Sequence, residues 1–173
     1  DGGAAREAPA REAAAGAHLS IPVQLADGRL ATRQYSLATH PARRDMYEIA
    51  VLREDDGRGG SAAIHANWAI GTRLNLDPPL NQFPLHDDAR PAVLIAGGIG
   101  ITPIKAMAQA LQARGTPFML HYTGRRPEEM AYRDRLAIEF PQQLRLYFSR
   151  VAGHARMDID AVLNGAIFNE KYD

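Results

Sequence analysis

Ala92-Val93-Leu94-Ile95-Ala96-Gly97-Gly98-Ile99-Gly100-Ile101-Thr102-Pro103 is the stretch whose reading decides the fold. Residues 92–96 form an unbroken apolar run, as expected of a parallel strand buried on both faces. The glycines turn the chain, and residues 104–114 follow with helical periodicity, ended by Gly115 at the C′ position. Thr102 is placed as the N-cap, and Pro103 at the first helical position, where a missing N–H costs nothing. Strand, glycine turn and helix start together make an anion site, because a pyrophosphate can approach the backbone and meet free amides there. The spacing is Gly-x-Gly-x-x-Pro rather than the Gly-x-Gly-x-x-Gly dinucleotide fingerprint. Taken alone, Gly97, Gly98, Gly100, Thr102 and Pro103 fit a nucleotide site and fit equally a tightly packed turn.

Downstream, the alternation continues: a strand over 118–123, a helix over 127–140, a strand over 144–148 and a short helix over 158–163. Strands alternating with helices imply a parallel sheet with right-handed crossovers. Gly124-Arg125-Arg126 closes the second strand, where a dinucleotide site usually offers an acidic residue to the ribose. Arginine there suits a 2′-phosphate, so Arg125 leans towards NADPH; the alternative is a pair of arginines solvating a loop.

Upstream of Pro91 the texture differs. Strands are expected over 19–25, 33–37, 46–52 and 72–76, with Ala26-Asp27-Gly28-Arg29 as a hairpin turn. Asp55-Asp56-Gly57-Arg58-Gly59-Gly60 is a polar, glycine-rich turn, and residues 61–69 read as a short helix with Ser61 as N-cap. Short strands at this spacing indicate a small antiparallel barrel or sandwich. The expected organisation is β + α/β. Residues 1–17 are an Ala-rich tail or weak helix, 18–88 a small antiparallel β-barrel, and 89–173 a parallel-sheet α/β domain.

Composition narrows the function. The 173 residues are 46% hydrophobic, enough for a packed core, and 20 basic residues balance 20 acidic ones. That balance gives no electrostatic case for nucleic acid or an anionic membrane. The absence of cysteine excludes disulfides and thiolate-held iron–sulfur clusters within this chain. No run reaches the roughly 18 apolar residues of a membrane span. The N-terminal segment lacks an apolar signal core, and Glu7 and Glu12 argue against a transit peptide, so the cytoplasm is the expected location. The six histidines are scattered singly, with no metal-ligand spacing, so no metal site is expected.

Arg33-Gln34-Tyr35-Ser36-Leu37 is the second informative run. A guanidinium grips a phosphate in bidentate fashion, and Arg33 and Tyr35 share one face of a strand. Tyr35 is shaped to lie along an isoalloxazine ring, and Ser36 to bond its edge. The plain alternative is a strand with an exposed Arg and a half-buried Tyr. Gly59-Gly60-Ser61, ahead of the short helix, is either a second phosphate nest or a simple hairpin with a helix start.

These runs, with Ile49-Ala50-Val51-Leu52-Arg53 and Pro79-Leu80-Asn81-Gln82-Phe83-Pro84-Leu85 between them, resemble the phthalate dioxygenase reductase and vanillate demethylase reductase group of the ferredoxin-reductase superfamily. The resemblance covers roughly residues 16–163. It implies a flavin-binding barrel followed by a nicotinamide-binding α/β domain. Arg33, Tyr35, Ser36 and Leu37 would contact the flavin, Ala50, Val51 and Leu52 would pass beside its ring, and Gly59, Gly60 and Ser61 would hold its phosphate. Ser36 would stand near the hydride-accepting edge, and Thr102 between flavin and nicotinamide, as the two catalytic positions. The group commonly uses FMN and NADH, so FMN is expected before FAD and NADH before NADPH. A 2Fe-2S centre would belong to a domain outside this sequence. The electron acceptor would be an oxygenase component or a ferredoxin.

Three departures from the group stand out. Only an Ala/Arg/Glu segment precedes the match, where the group has one or two barrel strands. The Cys-Gly-Pro motif expected after Leu163 is missing, as is the four-cysteine ferredoxin domain. The chain thus reads as a fragment or a degenerate homologue. The expected activity is that of an NAD(P)H-dependent flavin reductase; the alternatives are a non-catalytic binding module and a free flavin reductase.

Overall fold

The computed structural model describes residues 13–168. Strands β1 (Ala17–Gln24) and β2 (Leu30–Ser36) pair antiparallel from His18↔Ser36 to Gln24↔Leu30. The hairpin closes where the Leu25 amide donates to the Arg29 carbonyl at 2.8 Å, and Gly28 adopts φ 83 without a Cβ to oppose it. Period-two alternation buries Leu19, Ile21 and Val23 of β1 against Ala63 and Ile64 of helix α1 (Gly60–Asn67). The short β3 (Leu80–Asn81) pairs with the other edge of β1, giving the order β2-β1-β3. Of the Ala-rich segment, residues 1–12 lie outside the described residues, while Ala15 and Ala17 are buried.

Two expected strands are not strands. Residues 46–52 touch the sheet through one bridge, Leu37↔Ile49, and through the Ala38 amide donating to the Glu48 carbonyl at 2.8 Å. Beyond that bridge the segment has no ladder partner and runs along a cleft instead. Around residue 72 the chain turns: the Thr72 amide donates to the Ala69 carbonyl and the Thr72 hydroxyl accepts from the Ala69 amide. A side chain closing its own turn competes with extension. The start of α1 also differs. Gly59, at φ 75, occupies the N-cap, and Ser61 inside the first turn accepts from the Glu54 amide at 3.1 Å.

The second sheet is parallel, in the order β4-β5-β6, with β4 Ala92–Gly97, β5 Phe118–Gly124 and β6 Leu144–Phe148. Its inward face carries Leu94, Ala96, Leu120, Tyr122 and Leu144. These pack with Ile104, Met107 and Leu111 of α2 (Ile101–Arg114) and with Leu136 of α3 (Arg133–Glu139). Burial in β4 alternates, Val93 and Ile95 being half-buried, so the apolar run is enclosed on one face rather than both. A fourth helix, α4, spans Ile159–Phe168.

The helix after the glycine turn starts earlier than expected. A 3₁₀ turn (Gly98–Gly100) runs directly into α2, which makes Gly100 the N-cap. Thr102 therefore sits within the first turn, and its hydroxyl donates to the Ile99 carbonyl at 3.1 Å. Pro103 still lies in that turn, where backbone N–H groups have no intrahelical acceptor. Gly115, at φ 69, ends α2 as expected. The expected helix over 127–140 is broken into a 3₁₀ turn (Pro127–Glu129) and α3, with Tyr132 at φ 61 between them. Among the described residues no helix is long and apolar enough to cross a membrane.

Candidate functional site

The end of β2, the segment after Ile49, the head of α1 and the glycine turn converge on a cleft of about 350 Å³. Arg33, Tyr35, Ser36, Ala50, Leu52, Gly60 and Ser61 line one side, and Gly100, Thr102 and Pro103 the other. Residues from both halves of the chain thus share one cavity, with the hydroxyl-bearing Ser36 and Thr102 contributed from opposite halves.

Arg33 is held by backbone. Its Nη1 donates to the Thr32 carbonyl and its Nη2 to the Arg58 carbonyl, each at 3.0 Å. The side chain crosses the head of α1 over Gly60, where a Cβ would stand 2.5 Å from Arg33 Nε and 2.9 Å from its Cγ. Glycine at this position is a steric requirement of the arginine. The first turn of α1 contains no acidic residue, so the positive end of the helix dipole and the guanidinium point their charge into the same space. Ser61 uses an oxygen lone pair on Glu54 and keeps its hydroxyl hydrogen for another acceptor. This set is the chemistry of a phosphate cradle, and it fits the flavin phosphate implied by the sequence.

Tyr35 packs on the β1–α1 core, opposite Leu19 in the ladder. Burial raises its pKa, with Arg33 opposing and Glu54 adding to the shift. Thr102 is nearly buried, its hydroxyl committed to Ile99.

A larger cleft of about 720 Å³ adjoins the first, and Ala50, Leu52, Glu54 and Ile99 line both. Its own lining includes Val51, Gly98, Gly124, Arg125, Glu128, Glu129 and Met130. A Cβ on Gly124 would run into Met130 Cγ and stand 2.7 Å from its sulfur, so glycine lets the end of β5 approach Met130. Arg126 is 4.0 Å from Glu128, and is not among the residues lining this cleft.

Other residues expected at the site stand elsewhere. Leu37 is buried in the β1–α1 core, and its amide donates to the Ala17 carbonyl at 2.8 Å. Gly59 shapes the start of α1 and Gly97 ends β4 opposite Thr123; neither lines a cleft described here.

Sequence reasoning missed Tyr122. Its side chain is fully buried, with the hydroxyl 3.2 Å from both the Gly98 and Ala131 carbonyls. One phenolic proton shared between them ties the glycine turn to the segment before α3. Burial pushes its pKa up to about 12. Strand alternation in β5 could have marked the inward position, but nothing local signals its partners. Glu54, Arg58 and Ile99 were also missed as lining residues.

Comparisons with known proteins accord with this geometry. The oxidoreductase NAD-binding domain family matches residues 94–152. The heme-dependent oxidative N-demethylase beta subunit of Ectopseudomonas mendocina (strain ymp) is 42% identical over 151 residues, which cover 87% of this chain and 47% of that protein. The vanillate O-demethylase oxidoreductase of Pseudomonas sp. (strain HR199 / DSM 7063) is 39% identical over 150 residues, covering 86% and 46% respectively. The crystal structure of phthalate dioxygenase reductase superposes with a TM-score of 0.81 at 34% identity, covering 92% of this chain and 49% of that one.

An antiparallel sheet followed by a helix-covered parallel sheet, meeting at a shared cleft, is the flavin- and nicotinamide-binding fold of the ferredoxin-reductase superfamily. Within it, the chain is similar over most of its length to the phthalate dioxygenase reductase and vanillate demethylase reductase group. It spans about half the length of these curated relatives.

Proposed function

We propose that this chain is the flavin- and nicotinamide-binding part of an NAD(P)H-dependent reductase that feeds an aromatic-ring oxygenase or demethylase. The observation that carries this reading is the single cleft in which the Arg33–Gly60–Ser61 cradle faces Gly100 and Thr102. Residues 18–88 form the flavin half in this reading, and residues 89–173 the nucleotide half.

A bound flavin supplies the conversion of a two-electron hydride donor into a source of single electrons. The chain's own residues bind and orient. Arg33, Gly60 and Ser61 hold the phosphate; Tyr35, Ala50 and Leu52 form the walls beside the ring. Ser36 offers a hydroxyl to the ring edge, where a hydrogen bond steadies arriving negative charge. Thr102, with its hydroxyl tied to Ile99, presents a fixed, compact surface to the first cleft. The second cleft takes the dinucleotide, with Arg125 beside its ribose end.

NADH is the favoured donor, because Glu128 and Glu129 share that wall and repel a 2′-phosphate. FMN is the favoured flavin on the family resemblance. The phthalate dioxygenase reductase structure is described as modular, for electron transfer from pyridine nucleotides to a 2Fe-2S centre. In this protein such a centre must lie outside the cysteine-free sequence, in a further domain or in a partner such as a ferredoxin. The compartment proposed is the cytoplasm.

Titration with FMN followed by anaerobic addition of NADH tests the reading. Stoichiometric binding, with bleaching of the flavin absorbance, is expected. A chain that leaves FMN free in solution would overturn it, and binding without bleaching would leave a non-catalytic module.

A further inference from the structure

Lys105 lies on α2 with its side chain fully buried, a placement found for lysine when its ammonium is paired and hydrogen-bonded. Its partners are in the other half of the chain. Nζ donates to the Ala38 carbonyl at 2.5 Å and reaches Glu48 Oε2 at 3.4 Å. Glu48 is pinned by its own backbone: its carbonyl accepts from the Ala38 amide at 2.8 Å, and its amide donates to Thr39 Oγ1 at 2.6 Å. The second carboxylate oxygen takes Arg135 of α3 at 3.4 Å. Below the ammonium lies the Tyr132 ring, 5.1 Å to its centroid, with a side-chain hydrogen bond to Glu48. Among the described residues Tyr132 is the only non-glycine with positive φ.

A buried ion pair often contributes little net stability against an apolar replacement, but it specifies one arrangement of the groups it joins. The arrangement here has a consequence for the site. Ala50 and Leu52, which line both clefts, follow Glu48 closely in the same segment. The cluster clamps that segment to α3 and to α2, whose Thr102 and Pro103 form the opposite wall.

We propose that Lys105 and Glu48 are positioning residues that fix the spacing between the two walls of the shared cleft. They thereby set the distance across which a nicotinamide must stack on a flavin. The inference rests on the functional reading above, and neither residue lines either cleft.

Lys105→Met removes the ammonium while keeping most of the stem, and Glu48→Gln keeps the shape and removes the charge. In the flavin-free chain, hydrogen exchange over residues 48–54 should rise by about tenfold in either variant, with the β1–β2 ladder unchanged. In the FMN-loaded chain, flavin affinity should stay within about twofold, because the phosphate cradle is untouched. The long-wavelength charge-transfer absorbance on mixing with NADH should vanish, and flavin reduction should slow on the order of a hundredfold. The double variant should be no slower than the worse single one.

Unchanged exchange and an intact charge-transfer band would overturn the proposal. So would a parallel loss of FMN affinity and thermal midpoint in both variants, which marks a purely structural pair. If the unmodified chain binds no FMN, the functional reading fails, and exchange in the flavin-free chain alone decides whether the clamp exists.

Discussion

Arg33 lies across Gly60, leaving no room for a side chain at residue 60: a Cβ there would stand 2.5 Å from Arg33 Nε. Gly60→Ala must therefore displace the arginine from the head of α1. Residue 60 is helical, where alanine is intrinsically favoured over glycine by roughly 0.5–1 kcal/mol. The thermal midpoint should consequently change little, while FMN affinity falls by about tenfold through the lost charge-assisted contact. Calorimetric FMN titration alongside thermal denaturation checks this; unchanged affinity would mean that Arg33 does not serve the phosphate.

Gly16 is a position where stability rather than binding is at stake. It has φ 94, and a Cβ there would collide with the Phe83 carbonyl. Gly16→Ala should cost about 2 kcal/mol or more, since backbone cannot yield as a flexible side chain can. Gly28→Ala is the control: φ is 83, yet nothing lies within 4 Å of its Cβ, so the cost should stop near 1 kcal/mol. Urea midpoints of the two variants measure the difference.

Tyr122 and Tyr132 predict how stability changes in alkali. Burial is the main cause raising both to about 12 from the ordinary 10.0. Because their folded pKa exceeds the unfolded value, their contribution is fully present below pH 10 and is lost as pH rises towards 12. Lys105, whose pKa burial lowers, acts in the opposite sense over part of that range. Tyr122→Phe should cost about 1 kcal/mol at neutral pH, through the hydrogen bond it removes from the Gly98 and Ala131 carbonyls, and should flatten the alkaline slope. Denaturant unfolding at stepped pH values reads both effects; an unaltered slope would exclude Tyr122 as a source.

Glu128 and Glu129 line the larger cleft with Arg125, and Arg126 is already drawn towards Glu128 at 4.0 Å. Replacing both carboxylates with glutamine removes the repulsion that a 2′-phosphate would meet. The ratio of kcat/KM for NADPH over NADH should then rise by about tenfold. A ratio that stays constant would place donor discrimination elsewhere.

Local signals carried much of the architecture. The Ala26–Arg29 turn, the β4 run, the glycine stop at Gly115 and β6 each follow from a few consecutive residues. Ser36 and Thr102 both line the first cleft, at positions that the family resemblance rather than their own neighbours singled out. The segment 46–52 misled for a physical reason. Its composition suits a strand, but strand formation needs a paired edge, and beyond Ile49 none is offered. The break at Tyr132 escaped notice because no glycine or proline marks it.

The order of amino acids was thus enough to establish two sheets of different type and the glycine turn between strand and helix. Periodicity, turn chemistry and capping act over a few neighbouring residues, and those the sequence displays directly. Which residues meet was settled by packing within and between the halves. Arg33 over Gly60, Tyr122 bonded to Gly98, and Lys105 reaching Ala38 and Glu48 are contacts across 24 to 67 positions of chain. Their energies depend on burial and on partners that stand close only once the chain has folded.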